Sequence, residues 1–470
     1  MKAAPITIVG AGLVGSLLAT LLAQRGFEIT VFERRPDPRK AGFLGGRSIN
    51  LALAERGWHG LRLAGLQDRM RPITVMMRGR MIHDIDGRTN LQRYGRDDSE
   101  VIWSVNRGTL NTTMLDAAEA AGAVIHFDQR LESVDWKTST LHLCSEDESR
   151  RSHQADIILG SDGAGSALRA SMAQVIGLGE RFDSLGHSYK ELEIPALADI
   201  PSSRLPADLR EAQARGERFA MEPNALHIWP RGNYMCIALP NSEGSFTVTL
   251  FLPNEGEPSL ASVSSAADAR AFFERDFADT VPLIPDLEKD YLGNPTGLLG
   301  TLYLDRWHFE GKALLIGDAS HAIVPFHGQG MNSGFEDAVE LAELLTASPN
   351  DSAAVFAEFE RRRKPNADAI AEMALDNYIE MRDRVDDADY LLMRELGHTL
   401  AARHPGRWVP RYWMVTFSRI PYAIAYQRGE IQQRILRELI AGKTSLAEIN
   451  LDGADSRIVE VLGPVPTQES

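Results

Sequence analysis

The chain has 470 residues, enough for two or three domains around a large buried core. A net charge of −15 argues against nucleic acid or an anionic membrane surface as the main partner, and 44% hydrophobic with 24% charged residues is the balance of a soluble globular protein. Two cysteines, Cys144 and Cys236, stand far apart in apolar alternating runs, which gives no disulfide or metal framework and points to a reducing, cytoplasmic setting.

The first element in the chain is a nucleotide-binding unit. Residues 6–9 read as a buried strand, Gly10-x-Gly12-x-x-Gly15 as a turn with Leu13 inside it, and residues 28–32 as a second strand ending in Glu33. The first glycine permits the tight turn, the second lets a pyrophosphate approach the backbone, and the third allows helix and strand to pack closely. An acid at the end of the second strand suits a ribose hydroxyl. Gly10, Gly12, Leu13, Gly15 and Glu33 are therefore candidate contacts of an adenine dinucleotide. Arg34 is a candidate adenosine contact, whereas Arg35 reads as a solvated surface charge. The apolar N-terminus has too little basic character for a signal peptide, and no run reaches the ~18 apolar residues of a membrane span.

In GGRSINLALAERG (residues 45–57), Ser48 or Asn50 can cap a helix beginning near Leu51. Residues 75–83 alternate as one strand with Arg78 and Arg80 on one face and Gly79 on the other. Tyr94 precedes the acidic run Asp97-Asp98-Ser99-Glu100. A strand over residues 101–105 leads through Asn106 to Arg107 and a helix; an arginine at such a junction can meet a flavin nucleotide or make a surface ion pair. Residues 123–127 and 131–134 return to the first domain. Residues 157–159 run into Asp162-Gly163, a second strand-to-helix turn that supports a dinucleotide in an extended pose.

From residue 189 to 252 the pattern changes to period two, with antiparallel strands at 226–229, 234–239 and 246–251. Their inward row of Leu226, Met235, Ile237, Leu239 and Phe251 is either a wall over a cofactor or plain core. Next, an apolar strand at 313–316 runs into Gly317-Asp318, a loop with Pro325, and Gly328-Gln329-Gly330 opening a helix. A helix start presents unpaired N–H groups and the positive end of the macrodipole, which suits the N1–C2=O edge of a flavin. Asp318 is placed to accept hydrogen bonds from a ribityl chain. Residues 353–387 are helical, broken or kinked near Pro365, with Asn377 and Met381 four apart on one face. Residues 407–424, including Tyr412, are rich in aromatics and arginine, and the tail from 450 is polar and acidic without an amphipathic anchor.

Gly10-x-Gly12-x-x-Gly15 with Glu33, Asp162-Gly163, and Gly317-Asp318 ahead of Pro325 stand in one order. This set resembles the single-component FAD-dependent aromatic hydroxylases of the p-hydroxybenzoate hydroxylase type. The resemblance implies an α/β fold: a Rossmann-like FAD-binding domain over 1–180 and 291–350, an inserted antiparallel β-sheet substrate domain over 181–290, and a C-terminal helical region over 351–470. Within that family FERRPDPR, GRSINLALAERG, MMRGRM, YGRDDSEVIWSVNR, PNALHIWP, PFHGQGMN, MALDNYIEM and PRYWMVTFSR are similar, over nearly the full chain, to members that hydroxylate the amino acid L-kynurenine. By that resemblance Arg80 and Tyr94 bind the substrate carboxylate, and Asn377 and Tyr412 complete the clamp. Phe326, His327 and Met381 approach the substrate ring opposite the sheet row. Asp162, Arg107, Leu131, Asp318 and the loop residues Pro325, Gly328, Gln329, Gly330 and Met331, with Asn332 beside them, contact FAD.

The resemblance also implies non-covalent FAD, NADPH as a transient reductant without a glycine fingerprint of its own, and O2 as co-substrate. A flavin C4a-hydroperoxide then delivers one oxygen to the ring, giving 3-hydroxy-L-kynurenine, a step of tryptophan degradation. The ring amino group already activates the substrate, so no strong protein base is demanded; His327 is the one nearby titratable candidate and is equally readable as a structural loop histidine. No nucleic-acid partner or membrane anchor is expected, and a homodimer stays open. Two alternatives remain at this stage: a hydroxylase of another aromatic acid on the same fold, and a flavin-binding module without turnover.

Overall fold

The computed structural model describes residues 4–41, 50–383 and 388–466, with backbone alone for 381–383. Among these residues the strands form four sheets. In the six-stranded sheet, short apolar runs such as Ile6–Val9, Ile29–Phe32, Ile157–Gly160 and Ala313–Leu315 pair in parallel. They are buried on both faces, as parallel strands covered by helices must be. The register sets Val9 beside Gly160 and Gly160 beside Leu315, so all three motif turns emerge side by side at one carboxyl edge.

The seven-stranded sheet runs Thr296–Tyr303, Arg181–Ile194, Phe246–Pro253, Met235–Pro240, Ala225–Pro230, Gly79–His83 and Thr89–Arg93. Period-two alternation gives it two apolar faces. Met235 and Phe251 pack in front with Ile82, Ile228, Phe326 and Tyr378, while Cys236, Ala238, Trp229 and Leu250 pack behind with Phe273 and Phe277. Each such apolar side chain contributes roughly 1.5–3 kcal/mol by leaving water. The hairpin of Gly79–His83 and Thr89–Arg93 lies at the sheet edge, joined parallel to Ala225–Pro230.

Two expectations from sequence are corrected here, at residue 51 and at Arg78, and two are sharpened, at Pro365 and in the tail. Residues near Leu51 form a strand, Asn50–Leu53, and the helix begins only at Glu55–Leu63. Asn50 caps no helix; its amide binds Ser104 and Asn241, and Ser48 lies outside the described residues. The strand over 75–83 is two strands in different sheets, Thr74–Met77 and Gly79–His83. Arg78 sits at the break, bound to Asp98 at 3.0 Å, so it does not share a face with Arg80. Ser352–Asp383 is one helix running on through Pro365. The tail folds into an amphipathic helix, Leu451–Val461, because Ala454 and Ile458, four apart, seat in a core with Leu392 and Trp408. No helix among the described residues is long and apolar enough to cross a membrane.

Candidate active site

At the shared carboxyl edge the glycines make an open cradle. Gly10 has φ +101°, and a Cβ on Gly15 would fall 2.0 Å from the Gly10 carbonyl oxygen. A Cβ built on Gly12 would meet nothing within 4 Å, and the helix Leu13–Gln24 starts at that open space. Such a gap at a helix start accepts a pyrophosphate. Glu33 closes the cradle: its Oε2 accepts from the Ala11 N–H at 2.8 Å. Asp318 is exposed at the first residue of Asp318–His321, and its Oδ1 lies 4.0 Å from a Cβ built on Gly330, the start of Gly330–Ala347. Arg34 and Arg107 are exposed at the ends of their strands, and Pro325 is exposed in its loop. These groups fit an extended dinucleotide whose flavin end reaches the second helix start.

Other predicted cofactor residues are committed elsewhere by their side chains. The Asp162 carboxylate caps Ala167–Met172, accepting from Ser166 Oγ at 2.6 Å and the Ala167 N–H at 2.7 Å, and burial pushes its pKa up. Gln329 Oε1 accepts from the Tyr422 hydroxyl at 2.9 Å. Asn332 ties the helix start to the strand Asn50–Leu53: its Oδ1 accepts from the Ala54 N–H, and its Nδ2 donates to the Ala52 and Gly328 carbonyls. What these three offer a cofactor is therefore backbone and shape. Leu13, Leu131 and Met331 are buried in the main core.

A cavity of about 1060 Å³ opens beside the front face of the seven-stranded sheet, lined by Arg80, Tyr94, His327, Asn377 and Tyr412 among others. The hairpin supplies Arg80 from its first strand and Tyr94 just past its second. Gly95 then lets the chain fold onto Glu100, since a Cβ there would meet the Glu100 side chain at 2.1 Å. Tyr94 and Tyr412 stack with centroids 5.6 Å apart, His327 stacks on the other side of Tyr412 at 5.5 Å, and the Arg80 guanidinium stands 5.7 and 5.6 Å from the two phenol rings. Burial pushes both phenols up, so they remain neutral donors. Burial, with the guanidiniums of Arg411, Arg80 and Arg56 nearby, pushes His327 down to about 3, and its Nδ1 has no hydrogen-bond partner among the described residues.

The cations around this cavity differ in their partners. Arg93 pairs with Asp98, Arg96 with Glu100 and Arg411 with Asp376. No carboxylate of the described residues lies within ion-pairing distance of Arg80. Asn377 faces the cavity but gives its Nδ2 hydrogen to the Phe326 carbonyl at 2.6 Å, fixing the loop. Phe326 is buried, stacked on Tyr378 at 4.2 Å. In the sheet row, Leu226 and Ile237 keep partial exposure, while Met235, Leu239 and Phe251 are sealed in core. The Met381 side chain lies outside the described residues.

Sequence reading missed a buried ionic group beneath the cradle. Asp337 Oδ2 accepts from the Gly317 N–H at 3.0 Å and from His321 Nε2 at 2.6 Å, and its Oδ1 accepts from Arg363 Nε at 2.7 Å. Glu336 takes Arg363 and Arg56, and Arg56 also binds the Ile420 carbonyl and lies 3.8 Å over the Tyr422 ring. The signal was present in the two adjacent acids of GFEDAVE, one of which has to be buried on a helix packed on several sides.

Residues 3–218 and 293–374 match the family model described as FAD binding domain. Fold, cradle and match together define an FAD-dependent flavoprotein monooxygenase. A kynurenine 3-monooxygenase of Xanthomonas axonopodis pv. citri (strain 306) is 54% identical over 462 residues, 98% of this chain and 97% of its own. One from Stenotrophomonas maltophilia (strain K279a) is 55% identical over 454 residues, 96% of each chain. The chain belongs to the kynurenine 3-monooxygenase family. The solved tetrameric form of 2-methyl-3-hydroxypyridine-5-carboxylic acid oxygenase shares the fold at TM-score 0.63, with 19% identity over 83% of this chain and 96% of that one.

Proposed function

We propose that the chain hydroxylates L-kynurenine to 3-hydroxy-L-kynurenine with NADPH and O2, and that Arg80 is the anchor for the substrate carboxylate. The observation that carries this reading is a guanidinium facing a cavity with no carboxylate partner among the described residues, framed by two neutral phenols. A planar guanidinium matches a carboxylate as a fork, and the Tyr94 and Tyr412 hydroxyls can donate to the same oxygens. Bound FAD, reduced by NADPH, supplies the activation of O2 and the transfer of one oxygen atom to the ring.

The residues of this chain orient the substrate and exclude water. With the acid end at Arg80, the ring has Leu226 and Ile237 as an apolar wall and His327 on the loop side. Asn377 acts through the loop, holding the Phe326 carbonyl so that Phe326 stays packed on Tyr378. A fixed, dry ring position favours oxygen transfer over release of hydrogen peroxide. His327, held neutral, supplies a polar edge and no charge change near neutral pH.

Gly10, Gly12, Gly15, Glu33, Arg34, Arg107, Asp318 and the loop at Gly328–Gly330 are the proposed FAD contacts. The test is NADPH oxidation by the purified yellow protein with L-kynurenine and, separately, salicylate. Stimulation by L-kynurenine, with a product heavier by one oxygen atom, is expected. Stimulation by salicylate alone would transfer the reading to another aromatic acid, and FAD binding without substrate-dependent oxygen uptake would remove turnover altogether.

A further inference from the structure

Behind the seven-stranded sheet, away from the cavity, a second hydrogen-bonded series engages the strand that carries Arg80. In Gly79–His83, Ile82 packs in front and His83 faces the back layer. His83 Nδ1 lies 2.8 Å from Asp279 Oδ2, and His83 Nε2 lies 2.8 Å from His227 Nδ1. His227 Nε2 lies 2.8 Å from the Glu222 carbonyl oxygen. Trp229 stacks on His83 with centroids 4.1 Å apart and donates its indole N–H to Asp279. Arg231 donates to the His83 carbonyl at 3.0 Å.

Counting protons along this series fixes its charge. A carbonyl only accepts, so His227 Nε2 carries a hydrogen; a carboxylate only accepts, so His83 Nδ1 carries one too. The contact between the two rings needs a third. Three hydrogens on four ring nitrogens give the pair one positive charge, whichever ring holds the middle proton. Burial pushes His227 down to about 4, and the Asp279 carboxylate stands against the other ring of the pair. Burial works against the Asp279 carboxylate, but the His83 and Trp229 donors offset it and hold the group below its usual range. The neighbouring groups of the described residues are engaged elsewhere: Arg275 pairs with Asp276, Tyr234 donates to Asp276, and Arg231 binds the carbonyls of Pro230, His83 and Asp276 while feeling Asp279 through space. Cys236 stays a neutral thiol because burial pushes it up.

The place of this pair in the sheet gives it a use. The hairpin at the edge carries both Arg80 and Tyr94, and its inner strand meets the rest of the sheet through the parallel pairing of Gly79–Ile82 with Ala225–Ile228. Parallel pairing is the weaker kind per residue, and Arg80 is three residues from His83, about 10 Å along the strand. We propose that His83 and Asp279 are positioning residues for carboxylate recognition, their shared proton pinning the hairpin from behind so that Arg80 and Tyr94 keep their place in the cavity. This inference rests on the reading of Arg80 as the carboxylate anchor. Loss of the proton leaves two hydrogens for three contacts, so one contact becomes lone pair against lone pair and the pin loosens. Affinity for the amino acid therefore falls on the alkaline side, and Asp279, with 39% of its side chain exposed, gives solvent access to the pair.

The test compares L-kynurenine with its decarboxylated amine analogue on the holoenzyme. Asp279→Ala, which can neither donate nor accept, is expected to raise KM for L-kynurenine roughly tenfold with kcat and FAD content unchanged, to leave KM for the amine unchanged, and to remove the alkaline rise in KM. Asp279→Glu restores most of the loss. An unchanged KM for L-kynurenine, or an equal rise for both substrates, overturns the inference; if Asp279→Ala yields no soluble yellow protein, His227→Leu is judged by the same two KM values. Wild-type turnover of L-kynurenine is measured first: its absence overturns the substrate assignment together with this inference, whereas its presence beside unchanged Asp279→Ala values overturns this inference alone.

Discussion

Two guanidinium sites in this protein are wired in opposite ways. At Arg363 every nitrogen has a destination: Nε on Asp337, one terminal nitrogen on Glu336, the other on Ser333. The carboxylates there are equally engaged, since Asp337 also takes the Gly317 N–H and His321 while Glu336 also takes Arg56. At Arg80 the neighbours are aromatic faces and phenols, and no carboxylate of the described residues pairs with it. The first cluster is complete and holds the Gly317-Asp318 turn against the helix Gly330–Ala347. The second has a charge with no carboxylate of the described residues in ion-pairing contact, Glu380 of the cavity wall acting on it only through space, which leaves the fork open to an anionic ligand. Burial alone therefore does not tell a structural arginine from a binding one; the inventory of partners does.

Substitutions at the two sites should separate them. Asp337→Ala leaves Arg363 Nε, His321 and the Gly317 N–H without their acceptor, a loss of about 3–5 kcal/mol, enough to release FAD and cost most of the folded protein at 37 °C. Thermal unfolding and the flavin-to-protein absorbance ratio measure it. The acid behaviour has a definite sign. Burial opposes ionisation of Asp337, but His321 and Arg363 more than offset it and depress the carboxyl well below the ordinary range. Its folded value lies below its unfolded one, so its contribution is present above the ordinary carboxylate range and is lost as pH falls toward the folded value. Asp337→Asn should flatten that acid limb. Arg80→Met, by contrast, should leave stability and FAD content intact and raise KM for L-kynurenine roughly a hundredfold, because it removes the partner of a buried charge that arrives with the substrate. A normal KM would remove Arg80 from the site, and a collapse of stability would make it structural like Arg363.

The two regions also differ in how readily sequence revealed them. The glycine turns were legible because each residue does its work locally: Gly10, Gly12 and Gly15 sit within six positions of one another, and the register of short apolar strands brings the other turns alongside. Arg80, Tyr94 and Tyr412 were reached by family resemblance, and no periodicity places residue 412 on residue 94. The strand break at Arg78 was invisible because residues 75–83 hold no proline and no turn signal beyond the single Gly79; only the pairing of Thr74–Met77 with Ile102–Asn106 moves it to another sheet. Asp337 with Arg363, and His83 with Asp279, join partners 26 and 196 positions apart, and local pattern carries no trace of such pairs.

The finest distinction concerns His327, which stands between the two types of site: it lines the cavity as Arg80 does, yet it stacks on Tyr412 as a packing residue would. A group held down to about 3 does not change charge across the range where histidines usually titrate, so it contributes no acid limb to kcat/KM between about pH 5 and 8. General acid–base groups cost about 10²–10⁴ in rate when removed. His327→Phe keeps the ring on Tyr412 and discards only the unpartnered Nδ1 and its companion nitrogen, so kcat/KM should fall by no more than about tenfold, mostly in KM. A loss of a hundredfold or more in kcat, joined to the disappearance of a pH limb, would assign the imidazole a proton in the chemistry and make the loop that carries it part of the reacting site.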